Sequence, residues 1–299
     1  MPLIQEVRGY SGFDLSINDG TDGYIFKKQS TQNPERLQRQ CEKQRMFRQY
    51  IQITPLSFVF NVPRVIDAQM DDGMFSFTMP YIHGSDIIEV LETSGIHQVN
   101  AIVDDIMFFL NTLLDRADMQ PFNPEPFYTK LEWIQEKTQD DTAITSLISY
   151  QTEVLESLHD TRCPMGVCHG DLTMSNMIFS DKIVLIDFHD PFMETPLQDI
   201  GKLWQEIDLE WSAVMSSCIY DAAKVSIGYQ YLRQLCNQGI HRLLNLYDIN
   251  PAVAYAYRLM TLIRLFAYVD TREMYTRVYN KCMELKEYGE KNLNITSRR

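Results

Sequence analysis

The chain has 299 residues, 45% of them hydrophobic, which is an ordinary proportion for a globular protein with a full core. Its formal net charge of −13 argues against nucleic acid as a partner, because phosphate backbones are bound by clusters of Lys and Arg. Residues 1–83 carry nine acidic and nine basic side chains, so the whole excess of negative charge lies in residues 84–299. This excess is explained either by solubility alone or by a functional role.

No apolar run reaches the roughly 18 uninterrupted residues that a membrane span needs. The best candidate, residues 252–269, is interrupted by Arg258 and Arg264 and is typical of a buried helix. The first residues lack the basic and apolar segments of a secretory signal. We therefore expect a cytoplasmic protein without a membrane span.

The six cysteines are scattered along the chain. Cys163, Cys168 and His169 are close enough to suggest a zinc site. Their spacing differs from that of structural zinc sites, so buried free thiols are the favoured interpretation.

Residues 1–83 predict a small α+β unit. Residues typical of strands form three runs, at 24–27, 63–66 and 75–79. Asp71-Asp72-Gly73 predicts a hairpin turn. After the first run, Asn33 followed by Pro34 predicts the start of a helix that ends near residue 50.

From residue 84 onward the sequence predicts a mainly helical unit. Apolar residues recur at three- and four-residue spacing in residues 86–91, 99–114, 143–159, 218–235, 240–247, 252–269 and 272–287. A predicted β-hairpin, with strands at residues 176–179 and 183–186, interrupts these helices. No flexible linker separates the two units, so we expect them to be joined tightly at residues 79–84.

The most informative polar pattern is His169-Gly170-Asp171-Leu172-Thr173-Met174-Ser175-Asn176, with Asp187-Phe188 beginning eleven residues after Asn176. It matches the protein-kinase signature H-R-D-L-x-x-x-N and D-F-G except at the residue after the His and the residue after the Phe. This spacing suits phosphoryl transfer, in which one carboxylate accepts the proton of an attacking hydroxyl while an amide and another carboxylate hold Mg²⁺. The pattern therefore predicts the catalytic centre of a kinase.

With Gly170 after the His, the pattern H-G-D-x-x-x-x-N followed by I-D-F resembles the aminoglycoside phosphotransferase and choline kinase family, most strongly over residues 167–199. The resemblance implies an α+β, two-lobed protein-kinase-like fold. Its small β-rich N-lobe would comprise residues 1–83 and its larger, mainly helical C-lobe residues 84–299. It also implies that Asp199, before a helix, braces the catalytic loop through backbone N–H groups.

The motif residues have distinct expected roles. Asp171 is the expected catalytic residue, which orients the acceptor hydroxyl and takes its proton. Asn176 and Asp187 are the expected ligands of Mg²⁺, which takes its remaining oxygens from phosphate and water. His169 is expected to anchor the loop. Asp190 is either a further metal ligand or the cap of a turn, and both interpretations stay open.

The resemblance places a phosphate-binding lysine on the strand before the first helix. Lys27 is the predicted residue, because it shares a strand face with the apolar Ile25, whereas Lys28 is expected to point the other way. Glu42, midway along the helix, is the predicted partner of this lysine.

Two further segments are candidates for nucleotide contacts. Gly9 and Gly12 form only a G-x-x-G pattern, which fits an ordinary turn as well as a loop over phosphates. Met79, Pro80 and Ile82 lie at the expected hinge, where Pro80 C=O would accept and Ile82 N–H would donate the hydrogen bonds of an adenine edge. A plain connector is the alternative.

These features predict a Mg²⁺-dependent kinase that transfers the γ-phosphate of ATP, or of another nucleoside triphosphate, to a hydroxyl of a small molecule. Residues 185–200 are also similar to phosphotransferase-type proteins of bacterial surface-polysaccharide clusters, which favours a sugar or polysaccharide precursor as acceptor. An aminoglycoside or a choline-like amino alcohol is the alternative acceptor. The sequence leaves the acceptor, the choice between ATP and GTP, and the oligomeric state open.

Two other function classes agree less well with the sequence. A protein kinase is disfavoured by Gly170 and by the short interval from Asp187 to Asp199, which leaves no room for a long activation loop. A non-catalytic nucleotide-binding scaffold is disfavoured because it has no need for Asp171, Asn176 and Asp187 together.

Overall fold

The computed structural model describes residues 3–7, 13–20, 23–139, 141–216 and 218–293. Two compact units make up the chain: Met1–Val90 with Ser175–Asp190, and Leu91–Met174 with Pro191–Arg299. We call them the first and second units. The first unit extends slightly beyond the boundary expected at residue 84. It also includes the hairpin after the catalytic motif, which we had assigned to the C-lobe.

The described residues form ten strands and ten α-helices. The strands are β1 (Leu3–Val7), β2 (Asp14–Gly20), β3 (Gly23–Ser30), β4 (Phe60–Asn61), β5 (Asp67–Asp71), β6 (Met74–Pro80), β7 (Asp118–Pro121), β8 (Arg162–Met165), β9 (Met177–Phe179) and β10 (Ile183–Leu185). The α-helices are α1 (Pro34–Gln52), α2 (Ile87–Thr93), α3 (Ile96–Asp115), α4 (Glu125–Thr138), α5 (Thr142–Glu156), α6 (Pro196–Leu209), α7 (Trp211–Met215), α8 (Ala222–Leu246), α9 (Pro251–Ile263) and α10 (Arg272–Asn292). Short 3₁₀ turns cover Pro55–Phe58, Met174–Asn176 and Arg264–Ala267.

The first unit is built on an antiparallel sheet with the strand order β1-β2-β3-β6-β5. Helix α1 packs on this sheet. It begins where predicted, with Asn33 at the N-cap and Pro34 next, although the Asn33 side chain makes no capping hydrogen bond. The shared core consists of Phe13, Leu37, Cys41, Phe75, Phe77 and Met79.

The strands predicted at residues 24–27 and 75–79 are confirmed as parts of β3 and β6. The turn between β5 and β6 is confirmed as well. Asp72 and Gly73 have φ angles of 44° and 76°, and a two-residue type I′ hairpin needs this left-handed conformation at both positions.

The strand predicted at residues 63–66 is wrong, because β5 begins only at Asp67. Pro63 cannot donate a ladder hydrogen bond. The carbonyl of Pro63 accepts a hydrogen bond from the Gln44 side chain, and that of Val62 accepts one from Arg48. Side chains of α1 therefore bind the backbone that a neighbouring strand would otherwise pair with.

A second sheet of the first unit, with the order β4-β10-β9, contains the predicted hairpin. Ser85 and Phe179 exchange two backbone hydrogen bonds of 2.9 and 2.8 Å, which tie the segment after β6 to β9. A Cβ atom on Gly84 would lie 2.6 Å from Ile178 Cγ2 and 2.7 Å from Phe179 O. Glycine is therefore required at this close crossing.

Helix α6 is the central element of the second unit. It packs against α3, α8, α9 and α10, and all of its residues except Asp208 are buried. The Thr195 side chain caps its first turn by accepting a hydrogen bond from Leu197 N. The helix ends at Glu210, whose φ of 53° breaks the helical path.

The helices predicted at residues 86–91, 99–114 and 143–159 are confirmed within α2, α3 and α5. The two predicted at 218–235 and 240–247 are one continuous helix, α8. Gly239 lies inside this helix. A glycine is needed there because a Cβ atom would collide with Met107 on α3. This glycine allows close helix packing and ends no helix.

Two further helix predictions differ from the structure. The segment 252–269 is helical only to Ile263, after which the chain tightens into a 3₁₀ turn. Helix α4 has no counterpart in the sequence prediction, because its buried residues Phe127, Leu131 and Ile134 form only a narrow apolar stripe.

Within the described residues no helix is long and apolar enough to cross a membrane. Those residues also contain no group of three or more His, Cys, Asp or Glu side chains suited to a metal ion. The zinc hypothesis therefore has no support. Cys163 and Cys168 are buried and form no disulfide, and burial raises the pKa of the Cys163 thiol.

The contact between α6 and α9 gives a testable prediction. A Cβ atom on Gly201 would lie 2.8 Å from Thr261 Oγ1 and 3.2 Å from the Tyr257 carbonyl oxygen. Gly201→Ala should lower the free energy of unfolding by about 1–3 kcal/mol through overpacking, although alanine is the better helix former by about 1 kcal/mol. Urea unfolding followed by circular dichroism measures the change.

Gly228→Ala is the matched control, because its Cβ would meet only the movable Leu91 side chain. This variant should be less destabilised than Gly201→Ala. A Gly201→Ala protein at least as stable as the wild type would contradict close packing at this helix crossing.

Candidate active site

The catalytic loop, residues 166–176, is anchored by a carboxylate at the start of α6. Asp199 is fully buried. Its Oδ2 accepts a hydrogen bond of 2.7 Å from His169 N, and its Oδ1 accepts one of 2.8 Å from Gly170 N. Gly170 has a φ of 89°, a conformation that glycine adopts without strain. Asp199 thus fixes the backbone directly before Asp171, as the resemblance implied.

A second α6 carboxylate, Glu206, supports the same loop further along. Its Oε2 accepts hydrogen bonds from Met174 N at 3.0 Å and from the Ser212 hydroxyl at 2.8 Å. Its Oε1 accepts from Ser212 N at 3.0 Å and from the Tyr229 hydroxyl at 2.7 Å. Burial raises the pKa of the Glu206 carboxyl, while these hydrogen bonds oppose that effect. Burial and the Glu206 charge raise the pKa of Tyr229, which stays a donor.

Asp171 lies between the two anchored points. Its backbone N–H donates to His169 Nδ1 at 3.2 Å, and the His169 ring is fully buried, which fits the anchoring role predicted for His169. The Asp171 side chain forms an ion pair with Lys202 of α6, and its Oδ1 lies 3.9 Å from Arg264 Nη2. The carboxylate is 21% exposed. The Asp171 side chain is thus held by the buried Lys202 while part of it stays accessible.

In the first unit, the hairpin brings Asn176 and Asp187 to neighbouring positions. Ile186 N donates to Asn176 O at 3.1 Å, continuing the β9–β10 ladder by one residue. Asp187 follows directly, with a φ of 62°. Asp tolerates this left-handed conformation better than most residues do, and such unusual backbone conformations cluster at functional sites.

The basic partner of Asp187 is Lys28, and the predicted orientation of the two strand lysines is therefore wrong. Lys28 is buried and forms an ion pair with Asp187, whereas Lys27 is only half-buried. The face of β3 that meets the core carries Phe26 and Lys28. Ile25, taken as the inward residue, lies on the opposite face, because strand side chains alternate.

Glu42 does not reach either lysine, so the predicted partnership with Lys27 is corrected. Glu42 is exposed on α1 and accepts a hydrogen bond of 2.9 Å from Gln38 Nε2. The inward face of α1 instead carries Gln40, Lys43 and Gln44, all buried. No acidic residue of α1 is buried toward the sheet, since its only carboxylates are Glu35 and Glu42 and both are exposed.

Asp190, the further candidate metal ligand, forms an ion pair of 2.8 Å with Arg39. In the expected hinge, Met79 and Pro80 belong to β6 and pair with Phe26 and Ile25 of β3. Ile82 follows the end of the strand, and its N–H has no hydrogen-bond partner among the described residues.

Gly9 and Gly12, the predicted phosphate loop, lie outside the described residues.

The donors of the hairpin suit a magnesium ion. One amide oxygen and one carboxylate are hard oxygen ligands, and Mg²⁺ is usually bound by one or two carboxylates plus phosphate and water oxygens. Asp187 is 29% exposed, so its carboxylate is accessible from solvent. Asn176 and Asp187 would be the residues that hold the ion.

The sequence prediction missed Lys202, Glu206 and Arg264. Lys202 and Glu206 lie three and seven residues after Asp199, a spacing also typical of ion pairs on exposed helices. The apolar residues around both positions would have indicated a helix that is buried on every side, and therefore buried ion pairs. Arg264 was noticed only as an interruption of an apolar segment.

Glu206 gives the second prediction. In Glu206→Gln an NH₂ group replaces one of the two accepting oxygens. This NH₂ would face the N–H and O–H donors that now bind the carboxylate, and those buried donors would lose their acceptor. We expect the free energy of unfolding to fall by about 1–3 kcal/mol. Tyr229→Phe, which removes one of the four donors, should cost less. Urea unfolding of both variants tests this, and a Glu206→Gln protein as stable as wild type would show that the carboxylate is not needed.

Comparison with known proteins identifies the family. A model of the phosphotransferase enzyme family matches residues 8–245. A search of curated protein sequences finds no match. Among solved structures, a thermostable mutant of aminoglycoside phosphotransferase APH(4)-Ia has a TM-score of 0.61 at 13% identity, covering 98% of this chain and 96% of that one.

Two other similar structures cover most of both chains. A choline/ethanolamine kinase family protein from Mesorhizobium loti has a TM-score of 0.54 at 14% identity, over 99% of this chain and 91% of that one. A glucosamine kinase in complex with glucosamine, ADP and inorganic phosphate has a TM-score of 0.51 at 11% identity, over 96% and 93%. The fold is therefore the α+β protein-kinase-like one expected from the sequence. The chain belongs to the phosphotransferase enzyme family and is a kinase-type enzyme acting on hydroxyl groups.

Proposed function

We propose that the protein transfers the γ-phosphate of ATP, with Mg²⁺, to a hydroxyl of a small sugar-like molecule. The observation that carries this proposal is the accessible Asp171 carboxylate on a loop fixed by Asp199 and Glu206. Phosphoryl transfer depends mainly on positioning and electrostatic stabilisation, and a rigidly held carboxylate supplies the positioning. A cytoplasmic location, where ATP is available, follows from the proposal.

Asp171 receives the acceptor hydroxyl. A carboxylate within hydrogen-bond reach orients the O–H group and accepts its proton as the phosphorus–oxygen bond forms. Lys202 holds the Asp171 carboxylate in one orientation from the buried side. His169 and Asp199 keep the backbone from moving when the acceptor binds.

Lys28, Asn176 and Asp187 bind the nucleotide. Mg²⁺ would supply positive charge that offsets the negative charge developing in phosphoryl transfer. Asn176 and Asp187 would hold this ion. Lys28, which forms an ion pair with Asp187, would bind phosphate oxygens of the nucleotide. Ile82 N–H and Pro80 C=O remain the proposed contacts of the adenine edge.

A sugar or polysaccharide precursor remains the proposed acceptor class. The alternatives, an aminoglycoside or a choline-like amino alcohol, would require an anionic binding region. Asp171 itself is flanked by two cations, Lys202 and Arg264, which disfavours a cationic group directly beside it.

Asp171→Asn tests the proposed function. The variant keeps the shape of the side chain but cannot accept a proton, so turnover should fall by several orders of magnitude. Affinity for Mg·ATP, measured by calorimetry, should stay nearly unchanged, because Asp171 meets the acceptor. ADP formation with a panel of hydroxyl compounds measures turnover. Near-normal turnover by Asp171→Asn would exclude this mechanism.

Lys28→Met and Lys27→Met distinguish the two lysines. Lys28→Met should weaken Mg·ATP binding at least about tenfold, as expected for the loss of a charge-assisted hydrogen bond. Lys27→Met is the matched control, since it removes the same charge one position away and should bind Mg·ATP like the wild type. Calorimetric titration gives both affinities. Weakening confined to Lys27→Met would restore the assignment made from the sequence.

A further inference from the structure

Arg264 lacks a carboxylate of its own. Its Nη2 lies 3.9 Å from Asp171 Oδ1, but Asp171 is already paired with Lys202. Among the residues that the structure describes, no other carboxylate lies within ion-pair distance of Arg264. Asp171 is thus shared between two cations, and the Arg264 guanidinium is left with only a long contact to it.

The two cations differ in accessibility. The Lys202 side chain is 2% exposed, so it is the buried counterion of Asp171. Arg264 is 22% exposed, close to the 21% of Asp171 itself. A guanidinium carries five donors in a planar fork that matches the geometry of carboxylate and phosphate groups. Arg264 is therefore the cation that a molecule approaching Asp171 can contact.

The Arg264 guanidinium is incompletely hydrogen-bonded. Within the described part of the chain, Arg264 Nε is buried without a hydrogen-bond partner. Its Nη2 lies 3.5 Å from Gln205 Oε1, at the outer limit of a hydrogen bond. Buried polar groups without partners are uncommon in native proteins and call for a missing ligand or water.

We propose that Arg264 binds an oxyanion of the acceptor, so that the hydroxyl presented to Asp171 belongs to an acidic molecule. The shared chemistry is a carboxylate or a phosphate ester on a sugar-like compound. This inference rests on the proposed kinase function and adds the charge of its substrate. Arg264 would orient the acceptor through its fork of N–H donors, while Lys202 keeps Asp171 neutralised from the buried side.

A competing role for Arg264 is contact with the transferred phosphoryl group. In that case its removal would lower kcat for every acceptor by a similar factor. Binding of an acceptor oxyanion has a different signature, because its loss raises KM for acidic acceptors and spares neutral ones.

The test compares four pyranoses that differ in charge: glucose, glucuronate, glucose 6-phosphate and glucosamine. Glucuronate and glucose 6-phosphate distinguish a carboxylate from a phosphate ester. Kinetics are measured for the wild type, Arg264→Gln, Arg264→Lys and Arg242→Gln. Arg242 is an exposed arginine of α8 and serves as the matched control. Calorimetric titration with glucuronate and with inorganic sulfate measures oxyanion binding independently of turnover.

We expect the wild type to prefer an acidic pyranose over glucose and glucosamine. Arg264→Gln should raise KM for that acceptor, and its dissociation constant, about ten- to a hundredfold, the effect of losing a charge-assisted hydrogen bond. Arg264→Lys should lie between, because it keeps the charge but loses the fork. Arg242→Gln should match the wild type.

Three results would overturn the inference. One is equal losses for neutral and acidic pyranoses in Arg264→Gln. Another is a wild-type preference for glucosamine. The third is a wild type that binds neither glucuronate nor sulfate. Failure of the kinase function would look different, because oxyanion binding through Arg264 would persist while no pyranose stimulated ADP formation.

Discussion

The site depends on two carboxylates that α6 buries beneath the catalytic loop. Asp199 and Glu206 lie seven residues apart, two helical turns on one side of the helix, and together they accept three backbone N–H groups of the loop. Ions at such depth are costly unless hydrogen-bonded from every side. The Glu206 carboxylate accepts four hydrogen bonds, so the desolvation cost is offset by bonds that also fix the loop. The position of Asp171 follows from a helix that cannot shift without exposing these charges.

The first unit arranges its charges differently. Its helix α1 offers no buried carboxylate to the strand lysine, and Lys28 pairs directly with Asp187. One ion pair therefore joins the two groups that we propose for phosphate and metal. Neither charge is left unpaired, and each has a ready alternative partner once a metal and a phosphate arrive together. The left-handed backbone of Asp187 points to a segment shaped by this function more than by local propensity.

Features that depend on residues close together in the chain could be predicted from the sequence. The catalytic motif, the Asp72-Gly73 turn and the long helices follow from fixed spacing and turn chemistry. The orientation of a side chain could not be predicted where both faces of a strand or helix are partly buried. Lys27 and Lys28 differ only in which face of β3 meets α1, and the apolar neighbours on both faces hide this. The break predicted between residues 235 and 240 is wrong for a related reason, because only the packing of α8 against the neighbouring helix shows that the chain stays helical through Gly239. The charges around Asp171 come from distant helices, and no local pattern joins Lys202 to Arg264.

The two cations beside Asp171 and the overall charge of −13 act over different distances. At physiological ionic strength the Debye length is about 8 Å, so acidic side chains scattered over the surface influence a bound molecule only weakly. Contacts of 3–4 Å inside a partly buried site are screened much less. An acceptor would therefore be selected by the two cations beside Asp171 and not by the average surface. On this proposal the acidic surface would serve solubility, and the contacts at Asp171 and Arg264 would determine which charge the acceptor carries.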